Sequence, residues 1–434
     1  MLLVYTPKIT HRNKYTFNLI FKDILGIDWK QTTDPEELRN YMGPKMSYAP
    51  QPVADELYFQ SRPLLFETGI NEQNIIVTEY NGCKIFFPAG KNSAFPFDPF
   101  AASFFLVSRY EEYLPHIRDE HDRFDAKVCI AYQDGFLERP VVNIWAGWIR
   151  DAIKARFPQQ EFPQQTYKYI STIDIDNAYA YKEKGLMRTI GGYFRSLLRF
   201  DLKEVGVRTR VLLGTQRDPY DTYDYMLEIQ KRYKLKPIYF FLLGDYGMND
   251  KNLPVDSYKF HSLIKRIADY ADVGIHPSFG SNEHPSRLKT EIGRLSKILH
   301  REVTKSRQHF LKLKLPLTYR NLIDFDITDD YTMGYAWSIG FRAGICTAFN
   351  FYDLDMELET KLKVHPFAVM DATLKYYMKL QPDEAIARIR PLVEEVRAVN
   401  GTFISLWHNE TLSDEKQWAG WREVYEETVK LAAE

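Results

Sequence analysis

The residues best suited to chemistry are two carboxylates two positions apart, Asp174 and Asp176, and two isolated imidazoles, His276 and His408. Side chains alternate with period two along an extended chain, so Asp174 and Asp176 point to the same side of one strand. Two like charges held that close are costly unless a cation or a shared proton relieves them. A metal ion held by one carboxylate, with the other acting as base, answers that need; the blander alternative is a capping or turn cluster at a strand end. An imidazole at a strand end can ligate a divalent metal through one nitrogen while a neighbour fixes the other. His408 can instead give a proton to a leaving group, with Asn409 or Glu410 to orient it. Singly, such histidines are more often structural; their joint position is what singles them out.

That position comes from the elements around them. The runs Tyr169–Asp176, Pro237–Leu243, Asp272–His276 and Thr402–His408 read as strands, and Tyr223–Leu235 and Ser257–Tyr270 as helices between them. Leu288, Ile292, Leu295 and Leu299 share one face of a further helix. Apolar strands alternating with helices imply a parallel sheet covered on both faces, doubly wound or closed as a barrel. Sites in such folds lie at the carboxyl ends of the strands, where Asp174 with Asp176, His276 and His408 all fall. Upstream, strand-like runs at Asn74–Val77 and Lys84–Phe87 precede helical patterns over Asp98–Tyr113 and Ile144–Phe157. The Pro/Gln-rich stretch Pro158–Gln165 is the expected boundary, dividing the chain into a smaller α/β domain, 1–164, and a second domain, 165–434. The basic segment Ala180–Asp221, with Arg188, Arg195, Arg199, Arg208 and Arg210, reads as an insertion near the rim.

Composition sets outer bounds. Lys and Arg total 57 against 58 Asp and Glu, which supports neither a nucleic-acid footprint nor a polybasic membrane patch. No run is long enough to span a bilayer. Cys83, Cys129 and Cys346 form no paired framework, as expected of buried thiols in a reducing compartment. The short apolar start is not a signal segment, so a cytoplasmic location is expected. Aromatic residues make up 15% of the chain and can stack on sugar rings as well as fill a core.

Three of these segments also carry a resemblance. Thr172-Ile173-Asp174-Ile175-Asp176 resembles the first motif of the polysaccharide deacetylases (NodB homology domain, carbohydrate esterase family four), which pairs a base Asp with a metal Asp. Asp272-Val273-Gly274-Ile275-His276-Pro277-Ser278 is similar to the second motif, whose first His is a metal ligand. Ile404-Ser405-Leu406-Trp407-His408 is similar to the closing motif, whose His is the general acid. The resemblance runs from Tyr167 to about Glu410; Ser306–Phe310, Gly340–Gly344 and Phe104–Tyr113 resemble a bacterial branch with an extra N-terminal domain.

The resemblance implies a distorted (β/α) barrel and an N-deacetylase acting on an acetylated amino sugar. Asp174 would be the base, Arg307 its partner and His408 the acid. Zinc, or else cobalt, nickel or manganese, would be held by Asp176 and His276. The family's second metal His would fall at Gly280, so His309 is the candidate third ligand, ahead of Asn282 and His284. Asp330 occupies the place of the fourth motif and, with Trp407, is expected to line the substrate. Arg342 would bind an anionic part of it or form a buried ion pair. With no signal segment, a nucleotide- or lipid-linked saccharide precursor is the expected substrate. The alternatives are a catalytically inactive glycan-binding relative and an amide hydrolase for a non-sugar substrate. Oligomeric state and the role of residues 1–164 stay open.

Overall fold

The computed structural model describes residues 1–434. Four short strands, β1 (Leu2–Tyr5), β2 (Trp29–Thr32), β3 (Lys45–Ala49) and β4 (Leu57–Gln60), form an all-parallel sheet in the order β2-β1-β3-β4. A hairpin follows, β5 (Thr78–Tyr80) with β6 (Cys83–Ile85). It lies beyond the strand expected over Asn74–Val77, which is irregular. The reason is the turn: Asn81 and Gly82 both have positive φ, 49° and 69°, and Asn-Gly is the pair that tight hairpins favour. The helix expected over Asp98–Tyr113 spans Pro99–Val107. Asp98 caps it by accepting from the Phe100 and Ala101 amides, and Arg109, at φ 54°, ends its continuation. The helix expected over Ile144–Phe157 runs over Val141–Arg156.

The second sheet has nine strands: β7 (Lys168–Ile175), β8 (Ile238–Phe241), β9 (Asp272–Ile275), β10 (Lys305–Ser306), β11 (Asp329–Asp330), β12 (Phe349–Asp353), β13 (Leu358–Val364), β14 (Val369–Met370) and β15 (Thr402–His408). Their order is β12-β13-β11-β10-β9-β8-β7-β15-β14, parallel throughout except for β12 with β13. Alternation sorts the side chains. Ile238, Phe240, Ile404 and Leu406 gather in an inner cluster with Tyr331, Phe367 and Met370. Ile173, Ile175, Tyr239, Phe241 and Trp407 face outward into the main core. The rings of Phe240 on β8 and Tyr331 after β11 lie 5.4 Å apart, so the sheet curls on itself. It does not close as the expected barrel. The ladder ends at β12 and β14, and single backbone bonds such as Phe367 N–H to the Met333 carbonyl (3.1 Å) span the gap.

The two sheets share one core, a cluster of 95 buried residues running from Leu2 to Ala432. Tyr352 on β12 packs at 5.0 Å from Tyr15 and 5.2 Å from Phe104. At the centre of this contact the buried Glu112 carboxylate accepts from Arg342 Nη2 (2.7 Å) and Nε (2.9 Å) and from Arg109 Nε (2.7 Å). Burial alone would raise its pKa, but Arg342 and Arg109 outweigh that and hold it at about 2. Removing one partner of such a group strands the others in the interior. Glu112→Ala is therefore expected to cost about 3–5 kcal/mol in urea unfolding, with both sheets still melting in one transition. Two separated transitions in the native protein would contradict the shared core.

Candidate metal centre

Alternation along β7 sends Ile173 and Ile175 outward and Thr172 and Asp174 inward, with Asp176 one step past the strand end. On β9, Gly274 and His276 take the inner side. Gly274 sits where a Cβ would come within 2.7 Å of both the Lys305 carbonyl and the Phe240 ring, so this close approach excludes any side chain. On β15, His408 ends the inner row that begins with Ile404 and Leu406. The loop after β10 delivers Arg307 and His309 to the same rim.

At this rim Asp176 stands between imidazoles. Its Oδ1 lies 3.2 Å from His276 Nε2, and its Oδ2 lies 3.4 Å from His309 Nε2 and 3.9 Å from His408 Nε2. Each imidazole is anchored on its far side. His276 Nδ1 donates to the Arg307 carbonyl (2.5 Å), His309 Nδ1 to Asp250 (2.8 Å) and His408 Nδ1 to Asp371 (2.8 Å). Those bonds aim each Nε2 inward, the orientation a metal-ligating His needs once that nitrogen is deprotonated. Asp250 is itself fixed by the amides of Phe279 (2.9 Å) and Gly280 (3.3 Å). Gly280, where the resemblance leads one to look for a second His, thus contributes its backbone to the carboxylate that orients His309.

The residues present fit a cation. One oxygen of Asp176, Oδ1, is buried and makes no hydrogen bond. The ligand atoms of Asp176, His276 and His309 lie within 4.8 Å of one another. The Asp176 carboxylate has one oxygen 3.2 Å from His276 Nε2 and the other 3.4 Å from His309 Nε2, so both imidazoles face it at distances a small bound cation can bridge. Two imidazoles, one carboxylate and an open side suit zinc in a hydrolytic site. The protonation pattern agrees. Burial opposes charge on His309, but Asp176 and Asp250 outweigh it and raise its pKa to about 9. Burial also opposes charge on Asp176, yet His309 and His276 keep it well below the usual carboxylate range. A proton on His309 here does what a cation would do.

Asp174 is held differently. Its Oδ1 accepts from Arg307 Nη1 (3.1 Å), and the same nitrogen donates to Thr172 Oγ1 (2.7 Å). Arg307 is fully buried, fixed by the Tyr331 carbonyl (2.9 Å) and stacked over Phe240. His408 is the register neighbour of Asp174 on the adjoining strand β15. Burial disfavours the imidazolium, but Asp371, then Asp176 and Asp174, raise its pKa well above the ordinary value. The cleft above these groups, about 300 Å³, is lined also by Arg123, Phe310, Tyr376, Tyr377 and Trp418.

The structure brings together Asp174, Asp176, His276, His309, Arg307 and His408. It does not bring Arg342, Asp330 or Trp407 to the cleft. Arg342 is the buried partner of Glu112, the ion-pair alternative. Asp330 is wholly buried, accepting from Ser306 Oγ (2.8 Å) and from the amide (2.9 Å) and hydroxyl (2.7 Å) of Thr332. Trp407 packs outward on Tyr425 at 5.2 Å, because the alternation that turns His408 inward must turn its neighbour away. Asn282 donates to the Lys312 carbonyl and His284 precedes a helix; neither belongs to the cluster. Asp250, Asp371 and Arg123 were not anticipated. Asp371 carried a signal, since it ends the apolar run Phe367–Met370 as His408 ends its own.

Because His309 holds its proton below pH of about 9, a metal must displace it. Calorimetry in buffers of different ionisation enthalpy should show about one proton released per zinc at neutral pH, with affinity rising up to pH about 9 and levelling above. Asp250→Asn should weaken zinc binding about 10–100-fold. Zinc binding with no proton release would contradict this protonation pattern.

A family model described as a family of unknown function (DUF7033) matches residues 2–158. No curated protein matches the chain. Among solved structures it is similar to a protein from Mycobacterium smegmatis assigned as a polysaccharide deacetylase, at 13% identity over 62% of this chain and 86% of that one, TM-score 0.40. It is also similar to a polysaccharide deacetylase from Bacillus cereus, at 14% identity over 62% and 88%, TM-score 0.28. A CE4 family pseudoenzyme from Bacillus anthracis is similar at 11% identity over 60% of this chain and 61% of that one, TM-score 0.28.

Proposed function

We propose that this chain is a metal-dependent hydrolase that removes N-acetyl groups from an amino-sugar-containing saccharide. The observation that carries the reading is the convergence of Asp176, His276 and His309 around one point, with Asp174 and His408 beside it in register on β7 and β15. The motif resemblance supports the same chemistry. A divalent cation, zinc by its donor set, would supply Lewis-acid polarisation of the acetyl carbonyl and of water when bound there.

The protein's own groups do the rest. Asp174 is the proton acceptor for the attacking water. Arg307 holds Oδ1 of Asp174 so that Oδ2 faces the reacting centre. The arginine also sets a positive charge against the pair of carboxylates. His408 is the proton donor to the departing amine. Asp371 serves it twice, taking the Nδ1 proton and the His408 backbone amide, 2.8 Å each, so that Nε2 is the nitrogen facing the cleft. The aromatic side chains of Tyr376, Tyr377 and Phe310 offer faces on which a sugar ring stacks. Arg123, reaching in from the N-terminal region, has Nη1 bound to the Phe310 carbonyl (2.7 Å) and Nη2 without a partner.

Acetate release from chitooligosaccharides, compared with hydrolysis of small cyclic amides, separates the sugar reading from that of a non-sugar amide hydrolase. Asp174→Asn should keep stoichiometric zinc and lose turnover by about 10²–10⁴-fold. Loss of the metal in that variant would mean that the two aspartates have the opposite roles. Zinc-loaded protein inactive on every acetylated sugar would overturn the deacetylase reading.

A further inference from the structure

The helix Leu186–Leu198 is amphipathic the wrong way round. A surface helix ordinarily buries its apolar stripe, yet Leu186, Met187, Ile190, Phe194, Leu197 and Leu198 are all more than half exposed, and the one buried residue is Ser196. On the opposite side Arg188 and Gly192 are half-buried against the protein and, with the exposed Arg195 and Arg199, line a polar groove of about 520 Å³. A second helix, Leu202–Leu212, pairs with the first through Tyr193 and Thr209 (2.9 Å). It extends the apolar surface: Phe200 is 89% exposed, Leu202 71% and Leu213 74%. Arg188 stacks at 4.2 Å on Tyr246, which joins the exposed Tyr246 and Met248 to the patch.

Charge decides what covers it. Residues 186–213 carry six Lys or Arg against two Asp or Glu, in a chain whose net charge is −1. A second copy related by two-fold symmetry would set this excess against itself, whereas an anionic lipid surface would neutralise it. No helix of the chain is long and apolar enough to cross a membrane, so contact with a bilayer through these helices would be interfacial.

We propose that the helix pair Leu186–Leu213 docks this protein on the surface of an anionic lipid bilayer, with its apolar side chains at the acyl boundary and its exposed basic residues, Arg195, Arg199, Lys203 and Arg210, reaching the lipid phosphates. The groove beneath the pair shares Asn177, Lys251 and Trp418 with the catalytic cleft, so docking sets the cleft beside the membrane surface.

Co-sedimentation of the full chain with vesicles tests this without any assay of activity. Binding is expected to vesicles of equal parts phosphatidylglycerol and phosphatidylcholine, and to be about tenfold weaker to phosphatidylcholine alone. The triple variant Phe194→Ser, Leu198→Ser, Phe200→Ser should lose binding by about tenfold or more. It should keep the thermal transition and zinc stoichiometry of the native protein, since all three side chains are exposed. Absence of binding to the anionic vesicles, or full binding by the triple variant, would overturn the proposal. So would a native dimer that does not bind vesicles and that the triple variant disperses; the patch would then belong to a second copy.

Discussion

Everything at the candidate site follows from placing Asp174 and Asp176 side by side at the end of one buried strand. Two carboxylates so close cannot both stay ionised without opposite charge nearby, and the fold supplies it in two forms. Asp174 receives a permanent cation, Arg307, wholly buried and locked by Thr172, the Tyr331 carbonyl and the Phe240 ring. Asp176 receives imidazoles, which can give up their protons to a metal. One carboxylate is thereby paired with a fixed cation. The other faces exchangeable positive charge, and the proposed roles of base and ligand are distinguished by their surroundings rather than by their sequence.

Much of this arrangement can be read from the chain. Apolar runs that end in Asp, His or His are strands delivering polar groups to one rim, and period-two alternation puts those groups on one side. The same rule excludes Trp407 from the cleft; Asp371, just past β14, is wholly buried and reaches His408 Nδ1 rather than the cleft. Asp250 is of another kind. It lies on an irregular loop after β8, and only the folded chain brings it to His309, 59 residues on. Arg342 and Glu112 lie 230 positions apart and no local pattern announces their pairing. Barrel closure was out of reach for the same reason, since it depends on how the segment after β11 meets β14.

The N-terminal region is tied to the site by more than proximity. Glu112 fastens Arg342, and Arg342 Nη1 holds the Gly334 carbonyl (3.1 Å) in the segment that follows β11. That segment begins at Tyr331, whose carbonyl fixes Arg307. Arg123 reaches the cleft itself. A shared core makes the first sheet part of the scaffold of the second, so the position of the Asp174 partner rests on the pairing of Glu112 with Arg342, 230 positions apart in the chain. Rigid support of this sort is what lets a reactive group keep one geometry.

The central claim is that Asp176, His276 and His309 form one metal site. X-ray absorption at the zinc edge of the loaded protein tests it most directly. The account predicts two imidazole nitrogens at about 2.0–2.1 Å and carboxylate oxygen in the same shell, with one imidazole lost in His309→Ala. A zinc environment unchanged by that substitution, or one containing cysteine sulfur at about 2.3 Å, would contradict it.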